Sequence, residues 1–489
     1  MTTKLSLETL DRLPANVGTP AYARADLTAG ILHIGVGNFH RAHQEVYLDR
    51  LFETGRDLDW AVVGAGLMPF DAKVRDTLKG QDYLATVVAQ EAESSTARVT
   101  GALIDFVEPG DPQAIVDRLA DPRIRIVSLT VTEGGYFVDP STGAFDPHHP
   151  KIVADAADLD NPQTVFGVIL KALKNRRAAG ETPFTVMSCD NLPHNGKVAR
   201  DAVMGLAKAA DPELAAWIGE TVAFPSGMVD RITPATGERE RRIVREDFGV
   251  ADDWPVFCED YIQWVLEDRF TAGRPALDRV GVQFVPDVGP YETMKIRILN
   301  GGHAVIAYPA GLMDIEFAHE AMENDLVAAF LKKVEGDEIL PIVPPVPDTS
   351  LNDYFKLIET RFANPKIADT IRRLCLDGSN RQPKFIIPSI RDNIARDRDV
   401  SGLALASALW CRYCFGTTDS GAAIEANDPN WDRLTERAKA AKTDPSAWLE
   451  MTDIYGTLKD EPRFANAFAD WLRMLHDKGT AAALKTYLG

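Results

Sequence analysis

The chain has 489 residues, 45% hydrophobic and 26% charged, an ordinary globular composition in a length too great for one hydrophobic core, so two domains are expected. Its formal net charge of −19 repels phosphate backbones and anionic lipid surfaces, which argues against nucleic-acid and membrane partners. No apolar run approaches the roughly 18 residues of a membrane span, the N-terminus has no secretory signal pattern, and five cysteines are a sparse, odd set that fits free thiols in the cytoplasm.

Residues 1–285 alternate short β-branched runs with amphipathic stretches, the pattern of a parallel sheet covered by helices on both faces, and predict an α/β domain. The expected strands are Ile31–Ile34, Trp60–Val63, Arg125–Leu129, Phe184–Met187 and Val222–Phe224, with helices at Gln44–Glu53 and Pro162–Ala178. Residues 286–489 change to helical periodicity and predict a mostly α-helical domain, with helices at Ala318–Val334, Leu351–Phe362, Asn364–Leu376 and Asp470–Tyr487. The Pro-rich segment Leu340–Pro347 reads as a rigid surface connection inside that domain.

The first chemical signal is Gly35-Val36-Gly37-Asn38-Phe39-His40-Arg41-Ala42-His43, directly after an apolar strand and opening a helix. Glycines there let the backbone turn tightly and approach a pyrophosphate, while the helix start supplies N–H groups and Arg41 a cation. The third glycine of the G-x-G-x-x-G pattern is replaced by His40, and a bare Gly-x-Gly is equally an ordinary tight turn. The carboxylate that would hold the ribose hydroxyls is Asp71, the first after the second strand; it would repel the extra phosphate of NADP and so favours NAD. Gly64-Ala65-Gly66 is a poorer rival loop, because Pro69 follows and no apolar helix opens there.

The second signal is Tyr291–His303. At about 100° per residue, Glu292, Lys295, Asn300 and His303 share an arc of about 140° on a helix, with Lys295 and Asn300 at its edges. A buried lysine can take the proton of an alcohol as hydride leaves, and an amide can donate to the developing alkoxide. The bland alternative is a solvated helix face. The third signal is a set of polar strand ends, where open α/β sheets bind ligands: Met187–Gly196 with Asn191, Thr130–Tyr136 with Glu133, and Pro225–Arg231 with Asp230. A capped turn is the competing explanation for Asp190 and Asn191. Cys411-Arg412-Tyr413-Cys414 and His148-His149 lack ligand-spaced companions, so no metal site is expected.

Together, the glycine turn and the segments Thr132–Tyr136, Ser188–Leu192, Met228–Pro234 and Lys295–His303 resemble the polyol-specific long-chain dehydrogenases over nearly the whole chain. The resemblance implies a Rossmann-type N-terminal domain, a helical C-terminal domain, a catalytic site in the cleft between them, NAD as cofactor and a lysine base without metal. It implies Lys295 as that base, Asn191 and Asn300 as the amides on the reacting oxygen, and His303 as a substrate-orienting neighbour. It further implies Asp230 and Arg373 as polyol-binding residues, Glu133 and Glu292 as proton-relay carboxylates, Gly35, Val36, Gly37, Asn38, Phe39 and Arg41 as the cofactor turn, and Asp71 as the NAD-selecting carboxylate. The loop Leu67-Met68-Pro69-Phe70-Asp71 departs in composition from the more polar loop of the family. The implied reaction takes mannitol to fructose. Arabinitol, sorbitol or a hexuronate such as fructuronate are alternative substrates, and a non-catalytic NAD sensor is the alternative of another class. A monomer is compatible with the resemblance.

Overall fold

The computed structural model describes residues 2–139 and 143–489, with Glu133 described for its backbone only. Two units form, Met1–Gly289 and Pro290–Gly489.

In the first unit five apolar runs become a parallel sheet: β1 Ala29–Ile34, β2 Ala61–Ala65, β3 Leu103–Phe106, β4 Ile126–Leu129 and β5 Thr185–Ser188. Their spatial order is β3-β2-β1-β4-β5, every neighbouring pair parallel. Side chains alternate across a strand: Leu32 and Ile34 join a core with Val127, Leu129 and Val186 on one face, and Ile31 joins Val62, Ile126 and Met187 on the other. Helices cover both faces, so the strands lie buried as continuous apolar runs. The strand order reverses between β1 and β4, and at such a switch point loops diverge and leave a crevice at the carboxyl ends. Four helices matter for that edge: α1 Asn38–Ala42, α2 Gln44–Phe52, α3 Asp71–Lys79 and α4 Asn195–Ala210.

The strand expected at Val222–Phe224 does not form. Ala223 accepts one ladder bond from Val186 N–H, but its own N–H goes to the Thr271 hydroxyl, and Pro225 has no N–H to continue a ladder. The strand begins two residues later as β6 Gly227–Asp230, antiparallel to Gln263–Glu267.

The second unit is helical. A single helical run starts at Gly289, passes through a π-helical turn at Lys295–Asn300 and continues as α5 Gly301–Leu312. The helix expected at Ala318–Val334 is two helices, because Asn324 accepts the N–H groups of Leu326 and Val327 and caps a new start. Of Asn364–Leu376 only Ile371–Leu374 is helical, begun by the Thr370 cap beyond Pro365. Asp470–Tyr487 divides at Gly479, whose φ of +80° ends the helix Pro462–Lys478. The Pro-rich segment is anchored rather than superficial, since Ile342, Val343 and Val346 are buried. Among the described residues no helix is long and apolar enough to cross a membrane.

Candidate active site

The turn after β1 is built by two glycines with different duties. Gly35 has φ +100°, and a Cβ there would meet the Thr130 carbonyl oxygen at 2.1 Å, so only glycine fits between β1 and β4. At Gly37 a Cβ would find nothing nearer than 3.8 Å, which leaves open space at the mouth of the turn where a cofactor phosphate could approach backbone N–H groups. The local structure therefore fits a dinucleotide.

Neighbouring side chains brace this turn from below. Arg41 is 1% exposed: Nε donates to the Gly37 carbonyl, one terminal nitrogen to the Trp254 carbonyl and the other to Asn38 Oδ1. The Asn38 amide nitrogen donates to the Pro234 carbonyl and the Thr236 hydroxyl, and its oxygen also accepts the Trp254 indole N–H. Arg41 and Asn38 thus hold the turn's shape instead of presenting their side chains to a ligand, a duty that the sequence reading, which took Arg41 for a phosphate cation, missed. Val36 is buried, and Phe39 stacks on His43.

Asp71 does follow β2, at the start of α3, but its carboxylate turns back to accept the Met68 N–H at 2.8 Å and packs against Gly66. Burial pushes its carboxyl upward from the ordinary range. The apolar loop residues Met68 and Phe70 stand exposed beside it.

At the ends of β4 and β5, Asp190 is the organiser. Its carboxylate accepts N–H from Val131 at 3.0 Å and from Thr132 at 2.9 Å, and the Tyr136 hydroxyl at 2.6 Å. The Glu133 backbone follows in a 3-10 turn, entered through Thr132 at φ +65°; the Glu133 side chain lies outside the described residues. Asn191, the next residue after Asp190, is exposed. Asn195 joins β5 to β6, since its amide bridges the Asp190 carbonyl and both backbone groups of Gly227. Asp230 ends β6 and is buried. Three loops carrying Glu133, Asn191 and Asp230 are therefore tied by two side chains, Asp190 and Asn195. Cys189 between them is fully buried, which pushes its thiol up and removes it as a nucleophile.

In the second unit Glu292, Lys295, Asn300 and His303 lie on one helical run, but not with uniform α geometry. Lys295 begins the π turn and Asn300 ends it. In an α-helix these two would point about 140° apart. A π turn bonds residue i to i+5 and winds more widely, which narrows that angle to about 50°. Lys295 is 7% exposed, Glu292 is buried, and His303 stacks on Phe362 with centroids 4.1 Å apart. Arg297, inside the turn, anchors it by donating to the Ser389 hydroxyl and to Asp392. Arg373 sits on Ile371–Leu374, packed against α5, and its guanidinium is held by both oxygens of Asp369.

Residues 29–279 match the mannitol dehydrogenase Rossmann domain and residues 287–476 the mannitol dehydrogenase C-terminal domain. A mannitol 2-dehydrogenase of Cereibacter sphaeroides is 60% identical over 474 residues, 97% of this chain and 99% of that one. Among solved structures, the Pseudomonas fluorescens mannitol 2-dehydrogenase ternary complex with NAD and D-mannitol superposes with a TM-score of 0.90 at 44% identity, covering 99% of both chains. A D-sorbitol dehydrogenase in substrate-free form also gives 0.90, at 38% identity, over 98% of this chain and 100% of that one.

Proposed function

The chain belongs to the mannitol dehydrogenase family, and from that premise we propose that it oxidises D-mannitol at C2 to D-fructose with NAD, by a metal-independent mechanism in which Lys295 is the base. The observation that supports this reading is the π turn from Lys295 to Asn300, whose wider winding narrows the angle between the two residues, with Lys295 buried.

NAD, when bound, accepts the hydride that leaves C2. Gly35 to Phe39 hold its pyrophosphate through backbone N–H groups, Arg41 keeps that turn in shape, and Asp71 at the start of α3, beyond β2, receives the ribose. The amides of Asn300 and Asn191 donate to the reacting oxygen and stabilise the charge that grows on it as its proton departs. Lys295 Nζ takes that proton. His303, ordered by its stack on Phe362, orients the substrate beside the lysine. Asp230 and Arg373 bind further hydroxyls, and Glu292, with Glu133, passes the proton from Lys295 towards solvent. Asp369 supports the Arg373 role by fixing the guanidinium plane. Five buried cysteines, none in a disulfide, support a cytoplasmic setting.

The test is Lys295→Ala. Turnover of D-mannitol is lost by about 100-fold or more while NAD binding stays within about twofold of wild type. Near-normal turnover at neutral pH overturns the assignment of the base. Comparing D-mannitol, D-arabinitol, D-sorbitol and hexuronates by kcat/KM ranks the substrates; a hexuronate preferred over every polyol overturns the substrate class.

A further inference from the structure

The position at which a dinucleotide turn ordinarily carries its third glycine is occupied by His40, and the imidazole is built into the core. It lies flat on His33 of β1, ring centroids 3.5 Å apart and planes within 9°, which fills the gap that the glycine of the usual pattern leaves between helix and strand. The His33 ring reaches the Thr130 hydroxyl at 2.9 Å, and that hydroxyl donates to the Gly35 carbonyl at 2.7 Å. On its other side His40 Nε2 stands 3.3 Å from Glu45 Oε1 on α2. Both side chains are at most 1% exposed and make no hydrogen bond to any other described residue. Two titratable groups in such isolation are neutral as a pair only while they share one proton, and an uncompensated charge there is costly.

We propose that His40 and Glu45 are a proton-sharing pair that positions the cofactor turn and couples NAD binding to the uptake of a proton. While the proton is shared, the pair is neutral, whichever atom carries it. Its contact chain through His33 and Thr130 holds the Gly35 carbonyl in place. When the proton leaves, a buried negative charge remains beneath a turn that must receive a dianionic pyrophosphate. By reciprocity, a bound pyrophosphate makes the pair hold its proton more tightly. The surrounding charges do not remove this coupling. Arg41 and Arg24 favour an ionised Glu45 and Asp49 opposes it, yet burial dominates and pushes the carboxyl up to about 7. His40 is pushed well below its ordinary range by burial, with His33, Arg41 and His43 adding to the effect. Asp49 is itself paired with Arg98, and Asp252 lies near Arg41. Of the other elements packed on α1 and α2, the strand Val256–Glu259 carries Glu259, which accepts the Ile232 N–H, and the turn Leu277–Val280 carries Asp278 and Arg279, both exposed.

The inference rests on the turn being the NAD site, and the experiment separates the two. Calorimetric titration of the full-length protein with NAD, in two buffers of different ionisation enthalpy near pH 7, reads net proton uptake without turnover. Wild type takes up a fraction of a proton per NAD, and its Kd rises about three- to tenfold from pH 6 to pH 9, the size of one charge acting through a partly polar medium. In Glu45→Gln both the uptake and the pH slope disappear. A variant that keeps the wild-type uptake and slope overturns the proposal, whereas a wild type that binds no NAD overturns the functional reading beneath it. Should Glu45→Gln not fold, infrared difference spectra of the wild type at pH 7.5 decide: NAD addition increases either the protonated-carboxyl band or the imidazolium band, and no change in either refutes the pair.

Discussion

Asp190 accepts the Tyr136 hydroxyl at 2.6 Å, and the same carboxylate takes the backbone N–H groups of Val131 and Thr132, so one buried side chain joins the loops that follow β4 and β5. Asn191 is its immediate neighbour. In Asp190→Asn one acceptor oxygen becomes an N–H₂ group that faces donors, and the loops lose their common anchor. The expected result is a fall in kcat of about 10- to 100-fold, the scale of a misplaced contact at the reacting oxygen. The Kd for NAD should stay within about twofold, because the glycine turn is held by other residues. The C2-deuterium isotope effect on kcat should grow as the chemical step becomes limiting. An unchanged kcat with an unchanged isotope effect would show that Asp190 supports folding only.

The two glycines of the cofactor turn should respond oppositely to the same substitution. Gly35→Ala forces a Cβ against the Thr130 carbonyl at a positive φ and should destabilise the first unit by about 1–3 kcal/mol or more, visible in the thermal midpoint without ligand. Gly37→Ala meets only open space and should keep stability within about 0.5 kcal/mol. Its methyl group intrudes where the pyrophosphate is proposed to approach, so NAD affinity should drop about tenfold or more. Normal NAD binding by a well-folded Gly37→Ala would remove the turn from the cofactor site.

The difference between these glycines bears on what the sequence could reveal. Gly35-x-Gly37 after an apolar strand was legible because strand, turn and helix start are local and contiguous. The helix expected at Gln44–Glu53 was legible for the same reason and forms as Gln44–Phe52, whereas the one expected from Pro162 starts only at Val165, after the Thr164 cap. The duties of Arg41 and Asn38 were not, since they depend on Trp254, Pro234 and Thr236, about 200 residues away in the chain. The π turn was invisible too: Lys295–Asn300 has the composition of an α-helix, and only the hydrogen-bond pattern, fixed by the Arg297 anchor and its packing, shows the wider turn. Periodicity likewise ran through Asn324 and Gly479, because a cap or a positive φ interrupts a helix without interrupting its apolar stripe. His40 read as a defect in the glycine pattern, although its ring is the piece that fills the space.

Cofactor choice should depend on Asp71 through charge rather than shape. An asparagine there can still accept the Met68 N–H, so Asp71→Asn should fold normally. It removes the repulsion of a 2′-phosphate, and the ratio of kcat/KM for NAD over NADP should fall about tenfold, the loss of a modest like-charge penalty. If the ratio does not move, the exposed apolar pair Met68 and Phe70, and not the carboxylate, governs discrimination.

Glu335 offers a pH-dependent prediction in the second unit. It is 0% exposed, both carboxyl oxygens lack a hydrogen-bond partner among the described residues, and Oε1 lies where a Cβ on Gly302 would be 3.2 Å away. Burial, with a smaller contribution from Glu359, pushes its carboxyl well above the usual range. The folded state therefore keeps a proton that the unfolded chain releases above a pH of about 4.3. The sign follows: where the native state binds more protons, stability falls as pH rises, so this group's contribution is intact below about 4.3 and is lost towards its folded pKa. Glu335→Gln is neutral in both states and escapes that loss, at a slope of up to about 1.4 kcal/mol per pH unit. Whatever the amide costs by itself is the same at every pH and cancels in the comparison. The variant's thermal midpoint, taken relative to wild type, should accordingly be several degrees higher at pH 8 than at pH 5, at about 2–4 °C per kcal/mol for a unit of this size. A difference that is the same at both pH values would mean that the Glu335 carboxyl ionises in the folded protein as it does in water.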